Sequence, residues 1–228
     1  NALKQIARSG KKVLFVATKK QAKDIVAERI KPLNMPYVTE RWPGGMLTNF
    51  ATIRKSIRRM AQIDKMTTDG TFSSISKKER LQISRERAKL EIQFGSIADL
   101  SRLPAALFIV DITKEHIAVK EAKRLNIPTF AIVDTNSNPN EVDYAIPAND
   151  DASTSIAYII DLMGAAIKEG LAERKMDKEA QAAEEKDSKE ESKHEAEELA
   201  AGLKFKGTEE EEGDKGGKRP RKRVKAKK

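Results

Sequence analysis

Short apolar runs alternate along the chain with longer segments in which apolar residues recur every three or four positions. The apolar runs, each predicted to be a strand, lie at 13–17, 36–39, 107–111, 129–134 and 144–146. The periodic segments, each predicted to be a helix, lie at 19–30, 116–125 and 153–171, and residues 2–7 have the pattern of the end of a further helix. This alternation predicts a parallel sheet covered by helices on both faces.

Residues 47–95 interrupt the alternation with a longer helical pattern. The apolar positions of its first half are Phe50, Ile53, Ile57 and Met60, and those of its second half are Ile83, Leu90 and Phe94. Intervals of three and four residues are typical of a coiled-coil seam, and the stem of Arg87 fills the gap in the second half. With a turn at 67–70 and a second helix over 77–94, the segment predicts an antiparallel helical hairpin that projects from the sheet.

The chain is therefore expected to have three parts. The sheet domain comprises 1–46 and 96–172, the hairpin 47–95, and a charged C-terminal tail 173–228. Apolar residues become rare in the tail, which predicts disorder after about residue 176. The tail changes sign along its length, with 16 acidic against 8 basic groups over 171–214 and nine basic groups without an acid over 215–228.

Charge is unevenly distributed along the rest of the chain as well. The net charge of +9 and the pI of about 9.5 favour an anionic partner, and nucleic acid is the usual one. Residues 1–95 hold a net charge of +13, whereas residues 96–170 hold −5. A body with a basic and an acidic side is suited to docking against a phosphate backbone. An ordinary solvated surface is the alternative.

Two groups of basic residues are candidates for RNA contact. The first lies on the outer face of the hairpin: Arg54, Lys55, Arg58, Arg59, Lys77, Lys78, Arg80, Arg85 and Lys89. Seven excess positive charges between residues 41 and 95 favour phosphate contact over a neutral spacer. The second is a basic arm in the tail: Arg219, Arg221, Lys222 and Arg223. Such arms bind RNA by counterion release. The alternative is a tail that contacts nothing.

The segment 41–49 carries the only tryptophan, Trp42, between Arg41 and the pair Gly44-Gly45. An aromatic ring beside an arginine is suited to stacking on an unpaired base. We favour the alternative, in which Trp42 wedges the hairpin against the sheet domain. The two glycines would then supply the backbone freedom that the chain needs to leave the sheet.

Motifs of the common enzyme classes are absent from the sequence. No glycine-rich phosphate loop follows a strand, there is no cysteine, and the two histidines, His116 and His194, stand at a helix start and in the tail. No apolar stretch approaches the roughly 18 residues of a membrane span. We therefore expect no cofactor, no membrane partner and no small-molecule substrate.

One weak candidate for a metal site remains. Asp111 and Asp134 end two central strands, where open α/β sheets bind ligands, and loop residues that follow them could add oxygen ligands for Mg²⁺. These loop residues are Asn136, Asn138, Asp150 and Asp151. We favour a capping role for Asp111 and Asp134. A metal-dependent enzyme with the hairpin as a lid, and a stand-alone RNA-binding regulator, remain as alternative hypotheses.

Four segments of the chain resemble the family of bacterial small-subunit ribosomal protein two. They are 14–22, 41–49, 125–139 and 146–152, and they occur in the family's order over about residues 1–172. The resemblance implies a flavodoxin-like (Rossmann-like) α/β domain with a protruding coiled-coil hairpin. The chain departs from the family's pattern in two ways: the histidine- and tryptophan-bearing N-terminal segment is missing, and the long tail is not part of the shared core.

The same resemblance implies a function and partners. We expect a structural, non-enzymatic constituent of the cytoplasmic small (30S) ribosomal subunit that binds 16S ribosomal RNA. The hairpin and the loop residues Arg41, Trp42, Thr48 and Asn49 would contact the RNA. Small-subunit ribosomal protein one, which recruits mRNA during translation, and neighbouring small-subunit proteins would be its protein partners.

Overall fold

A parallel sheet of five strands lies at the centre of the fold. The structure is a computed structural model that describes residues 1–70 and 75–206, and it describes side chains as far as residue 181. The strands are β1 (Val13–Val16), β2 (Tyr37–Val38), β3 (Ala106–Val110), β4 (Thr129–Val133) and β5 (Tyr144–Pro147). Their order is β2-β1-β3-β4-β5, the order of flavodoxin-like folds. The predicted fold class is confirmed, and every predicted strand is present to within one residue at each end.

The described part of the chain contains six α-helices. They are α1 (Ala2–Arg8), α2 (Lys20–Ile30), α3 (Phe50–Thr68), α4 (Lys77–Phe94), α5 (His116–Arg124) and α6 (Ser153–Lys206). Helices α3 and α4 form the hairpin, which is inserted between β2 and β3. The chain divides into two compact units, residues 1–176 and 177–228, and the finer division of the first unit into domains stays a prediction.

Helix α6 is longer than the apolar spacing predicted. We expected it to end at Leu171, but it continues to Lys206. The residues after Leu171 are rich in alanine, glutamate and lysine, which have high helix propensity even where no apolar face is buried. The basic arm and the rest of 207–228 lie outside the described residues. Within the described residues, no helix combines the length and apolar character that crossing a membrane requires.

Each face of the sheet is covered by its own apolar cluster, because successive side chains of a strand point to opposite faces. In β1, Leu14 and Val16 join the cluster that includes α5 and the base of the hairpin. Val13 and Phe15 join the cluster beneath α1, α2 and α6. All four side chains are fully buried, which explains why the strand is a continuous apolar run in the sequence.

The hairpin is held by the predicted seam and by ion pairs across it. The seam residues Ile53, Met60, Ile83 and Phe94 are buried, and Phe50, Ile57 and Leu90 are partly buried. Arg87 contributes more than its stem, since its Nε donates to Asp64 Oδ1 on α3 at 2.8 Å. The predicted hairpin packing is therefore confirmed, with a charged contact that the apolar pattern did not predict.

Helix α1 crosses α6 at Gly170, where there is no room for a side chain. A Cβ atom at Gly170 would lie 2.3 Å from the carbonyl oxygen of Lys4 and 3.0 Å from Ala7 Cβ. We expect Gly170→Ala to force the two helices apart and to lower the free energy of unfolding by about 1–2 kcal/mol, despite the better helix propensity of alanine.

Gly164→Ala is the matched control in the same helix. Its Cβ would meet only Leu33 Cδ1, at an ordinary contact distance of 3.4 Å. This change should be neutral or should stabilise the protein by up to about 1 kcal/mol. Urea denaturation followed by circular dichroism measures both changes, and equal effects of the two would contradict the close crossing.

Candidate nucleic-acid interface

The loop 41–49, which leads from the sheet into the hairpin, is held by the buried carboxylate of Glu121 on α5. Glu121 Oε1 accepts hydrogen bonds from Trp42 Nε1 at 3.1 Å and from the backbone N–H of Gly45 at 2.7 Å. Glu121 Oε2 accepts from the backbone N–H of Leu47 at 2.9 Å, and from the backbone N–H and Oγ1 of Thr48 at 3.1 and 3.2 Å. Five hydrogen bonds thus converge on a residue that is 8% exposed.

These donors lower the pKa of Glu121. Burial by itself raises the pKa of a carboxyl group, but the N–H groups of Thr48, Leu47 and Gly45 and the indole of Trp42 outweigh it here. The carboxylate is therefore charged at neutral pH, and its charge strengthens each hydrogen bond. Glu121 was not among the residues predicted from the sequence. The available signal was a glutamate among the buried positions of an amphipathic helix, next to Ala122.

The ring of Trp42 is 5% exposed and packs in the apolar cluster that includes α5. It is not presented for stacking on a base, which corrects its place among the predicted RNA contacts. The favoured interpretation, a wedge between hairpin and sheet domain, agrees with this geometry. Gly45 supplies the expected backbone freedom, with φ at +84°, in the left-handed region that favours glycine.

The other predicted contacts of the loop lie at the surface. Arg41, Thr48 and Asn49 are all exposed. Thr48 uses its N–H and its hydroxyl to bind Glu121, and the side chain of Asn49 accepts from Thr52 Oγ1 at 3.0 Å. Arg41 is the only charged residue among these three, and its side chain is exposed to solvent.

A stripe of four basic residues lies on the side of α3 that faces away from α4. We call it the α3 stripe, and its members are Arg54, Lys55, Arg58 and Lys65. They lie roughly 100–160° around the helix from the buried seam residues Ile53 and Met60, and Arg54 is half-buried whereas the other three are exposed. The only acidic residue of α3, Asp64, pairs with Arg87 instead. Because Arg54 and Arg58 are four residues apart, their like charges repel each other unless an anion binds between them.

Two of the predicted hairpin contacts bind other parts of the hairpin. Arg59 forms a bidentate ion pair with Glu86 on α4, with Nε–Oε1 at 3.1 Å and Nη2–Oε2 at 3.3 Å. Arg80 is half-buried, and its Nη2 donates to the carbonyl oxygen of Ile75 at 3.0 Å. The remaining candidates on α4, namely Lys77, Lys78, Arg85 and Lys89, are exposed. The candidates Arg219, Arg221, Lys222 and Arg223 lie outside the described residues.

The crevice at the carboxyl ends of the strands, where flavodoxin-like sheets bind ligands, is occupied by a lysine of the chain itself. Lys19 Nζ lies 3.2 Å from Asp111 Oδ2, 2.7 Å from Asp150 Oδ1 and 2.8 Å from Asp151 Oδ1. Burial by itself lowers the pKa of Lys19, but these three carboxylates outweigh it and raise the pKa. An ammonium group therefore lies among the carboxylates that a Mg²⁺ ion would need.

Asp111 and Asp134 themselves cap the loops that follow their strands, as we favoured. Asp111 Oδ1 accepts from the backbone N–H groups of Thr113 and Lys114 at 3.0 and 3.1 Å. Asp134 Oδ1 accepts from the N–H of Thr135 at 2.6 Å. In the part of the chain that the structure describes, no group of three or more histidine or acidic residues is arranged to hold a metal ion.

Lys19→Met is expected to lower the free energy of unfolding by about 3 kcal/mol at neutral pH, because it leaves Asp111 and Asp150 buried without a countercharge. Lys23→Met is the control: Lys23 pairs with Glu40 in a more exposed position, and its loss should cost less than about 1 kcal/mol. Urea denaturation at neutral pH measures both, and similar small losses would contradict a filled, desolvated crevice.

The fold and its filled crevice define an α/β protein of the flavodoxin-like class that presents a basic hairpin. The family model of ribosomal protein S2 matches residues 1–170. The small ribosomal subunit protein uS2 of Flavobacterium johnsoniae is 69% identical over 184 residues, which cover 81% of this chain and 72% of that protein. Those of Christiangramia forsetii and Phocaeicola vulgatus are 65% and 68% identical, covering 84% and 78% of this chain and 64% of each relative.

The chain belongs to the ribosomal protein S2 family, whose members are structural constituents of the small ribosomal subunit and not enzymes. This confirms the resemblance found in the sequence, the expectation that the chain is not an enzyme, and the expected location in cytoplasmic ribosomes. The matched region spans about two thirds of the length of these relatives.

Proposed function

We propose that this chain binds 16S ribosomal RNA through the α3 stripe and the exposed part of the loop 41–49. The observation that carries the proposal is the α3 stripe itself, whose four cations form no ion pair among the described residues. It extends over about 16 Å of helix, from Arg54 to Lys65, which is long enough to contact several phosphates. Contacts of this kind position a protein on RNA without reading its sequence.

The hairpin is built to present these charges in a fixed arrangement. The apolar seam and the cross-helix pairs Arg59–Glu86 and Arg87–Asp64 hold α4 against α3. Glu121 fixes the loop that ends immediately before Phe50, the first residue of α3. The direction in which the stripe faces is therefore set by the sheet domain, which supports a role as a structural clamp on RNA.

The segment 96–170 supports a second part of the proposal. Its net charge is −5, but four of its acidic residues (Asp111, Glu115, Glu121 and Asp150) are buried, so its exposed part is close to neutral and presents no basic surface like the α3 stripe to RNA. We propose that it faces small-subunit ribosomal protein one and neighbouring proteins of the subunit, as the family resemblance implies. In this way the chain would support the docking of the mRNA-recruiting protein during translation.

Sedimentation of the tagged full chain from a cell lysate tests the proposal, with 16S RNA quantified in every fraction at moderate and high salt. We expect the chain to migrate with 30S particles and 70S ribosomes until the salt concentration is high, because many phosphate contacts must be lost together. Migration with RNA but away from these particles would indicate a stand-alone RNA-binding regulator. A slow peak free of RNA would overturn the proposal.

A further inference from the structure

Three loops meet at the amino-terminal edge of the sheet, where β2, β1 and β3 are neighbours. They are 9–12 before β1, 31–36 before β2 and 98–105 before β3. Loops that precede parallel strands lie at one edge of a sheet, and neighbouring strands are about 4.8 Å apart, so these loops lie within roughly 10 Å of one another. We call the three loops together the amino-terminal rim.

The amino-terminal rim carries four basic residues and one acidic residue. The basic residues are Lys11, Lys12, Lys31 and Arg102, and the acidic residue is Asp99. Four positive charges against one negative charge give the rim a net charge of +3. Three of the basic residues, Lys11, Lys31 and Arg102, are exposed and form no ion pair within the part of the chain that the structure describes.

Two carboxylates outside the rim line the same cleft as Lys31, and both are already neutralised. Glu40 pairs with Lys23 at 3.0 Å, and Glu91 pairs with Arg87 at 3.3 Å. The charge of the rim is therefore not cancelled by its surroundings, and an anionic partner is what would neutralise it.

Lys12 holds the loops of the rim together. Its Nζ donates to the carbonyl oxygen of Asn34 in the loop before β2. Its own carbonyl oxygen accepts from the backbone N–H of Ala105, in the loop before β3, at 2.9 Å. These contacts connect all three loops, which reduces the conformational entropy that is lost when one anion binds several of the cations.

We propose that the amino-terminal rim is a second RNA-contacting surface, separate from the α3 stripe, which binds phosphates of the 16S RNA. The inference rests on the proposed function in taking 16S RNA as the partner. A protein is the less suitable occupant, because Leu103 is the only large apolar side chain that is exposed in the rim. The carboxyl-terminal edge of the sheet would then face away from this RNA, since three carboxylates surround Lys19 there.

Replacing Lys11, Lys31 and Arg102 by glutamine tests the rim in filter binding of the full chain to 16S RNA. We expect the affinity to fall at least about tenfold in 0.1 M salt, because each lost phosphate contact contributes a little under tenfold. The slope of log affinity against log salt should fall by about two to three. Lys12 stays in place, because its loss would loosen the loops and not only remove a charge.

The matched control replaces Lys20, Lys120 and Lys168 by glutamine. These lysines are exposed on α2, α5 and α6, so the control lowers the net charge equally. It should change the affinity by less than about threefold, since charges away from the RNA act only through the screened field of the whole protein. Equal losses in the two variants, or no loss in the rim variant, would overturn the inference. Failure of the RNA proposal itself would show separately, as unchanged binding in variants of the α3 stripe.

Directed cleavage of RNA tests the same surface in purified small subunits that contain the full chain. Because the chain has no cysteine, a source of hydroxyl radicals can be tethered at one chosen residue. We expect a source at Ser101→Cys, which is exposed in the rim, to cleave 16S RNA. A source at Asn136→Cys, exposed at the carboxyl-terminal edge, should cleave it much less. Equal cleavage from the two positions would overturn the proposal, and so would an absence of cleavage from Ser101→Cys, which would leave the rim to a protein or to solvent.

Discussion

Replacing Arg54, Lys55 and Arg58 by glutamine is expected to weaken binding to 16S ribosomal RNA by roughly a hundredfold to a thousandfold in 0.1 M salt. The estimate follows from counterion release, in which each phosphate contact contributes a little under tenfold at that salt concentration. The slope of log affinity against log salt should fall by about two to three, one for each lost contact. Filter binding at several salt concentrations measures both quantities. Glutamine is preferred to glutamate because it adds no repulsion of its own.

The control removes the same charge from the other half of the chain. Lys120, Lys123 and Arg124 are exposed on α5, and their replacement by glutamine lowers the net charge equally. The control should weaken RNA binding less than the triple change in α3 does, and it should leave the slope of log affinity against log salt nearly unchanged. If the two triple variants weaken binding equally, the net charge and not the α3 stripe determines affinity. If neither weakens it, the proposed contacts on α3 are wrong.

Glu121→Ala is expected to lower the free energy of unfolding by at least about 3 kcal/mol, because it removes the acceptor shared by several buried and partly buried donors, each worth about 1–3 kcal/mol when left unsatisfied. The donors are the indole of Trp42 and the backbone N–H groups of Gly45, Leu47 and Thr48. Trp42 is the only tryptophan of the chain, so its fluorescence reports on this loop alone. We expect its emission to shift to the red while the circular dichroism of the helices is largely retained.

Glu115→Gln is the matched control for the milder change Glu121→Gln. Glu115 is also a buried glutamate at α5, but it accepts from Thr18 Oγ1, and burial raises its pKa. A neutral glutamine should therefore be tolerated at Glu115, whereas at Glu121 its NH₂ group would oppose donors that need a charged acceptor. Equal destabilisation by the two changes would contradict the anchoring role of Glu121.

The lowered pKa of Glu121 also predicts how the loop responds to acid. A carboxyl group whose pKa is depressed in the folded state contributes stability that is complete above the ordinary value of about 4.3 and is lost as the pH falls through the folded value. The emission of Trp42 should therefore shift to the red as the pH falls well below about 4.3. The same shift should be absent in Glu121→Gln, because residue 121 then has no carboxyl group to protonate.

Local patterns in the sequence determined the framework of this protein. Because strands buried on both faces exclude polar side chains, β1, β3 and β4 are continuous apolar runs, and their bounds were predicted to within a residue. The period of three to four residues likewise determined α4, whose predicted bounds, 77–94, are those of the structure. Low apolar content was less reliable, since it predicted disorder where the helix propensity of alanine, glutamate and lysine extends α6 to Lys206.

Only the tertiary structure decided which charged groups meet. Lys19 and Asp150 are 131 residues apart in sequence, and Glu121 and Thr48 are 73 apart. The order of the strands brings each pair together. Helical periodicity reflects interactions within a turn or two of helix, so Arg58 and Arg59 look equivalent in the sequence although only Arg59 pairs with Glu86. The sequence therefore determined where the basic hairpin lies, and the packing of α4 and α5 decided which of its residues face outward, because long-range contacts depend on the whole fold.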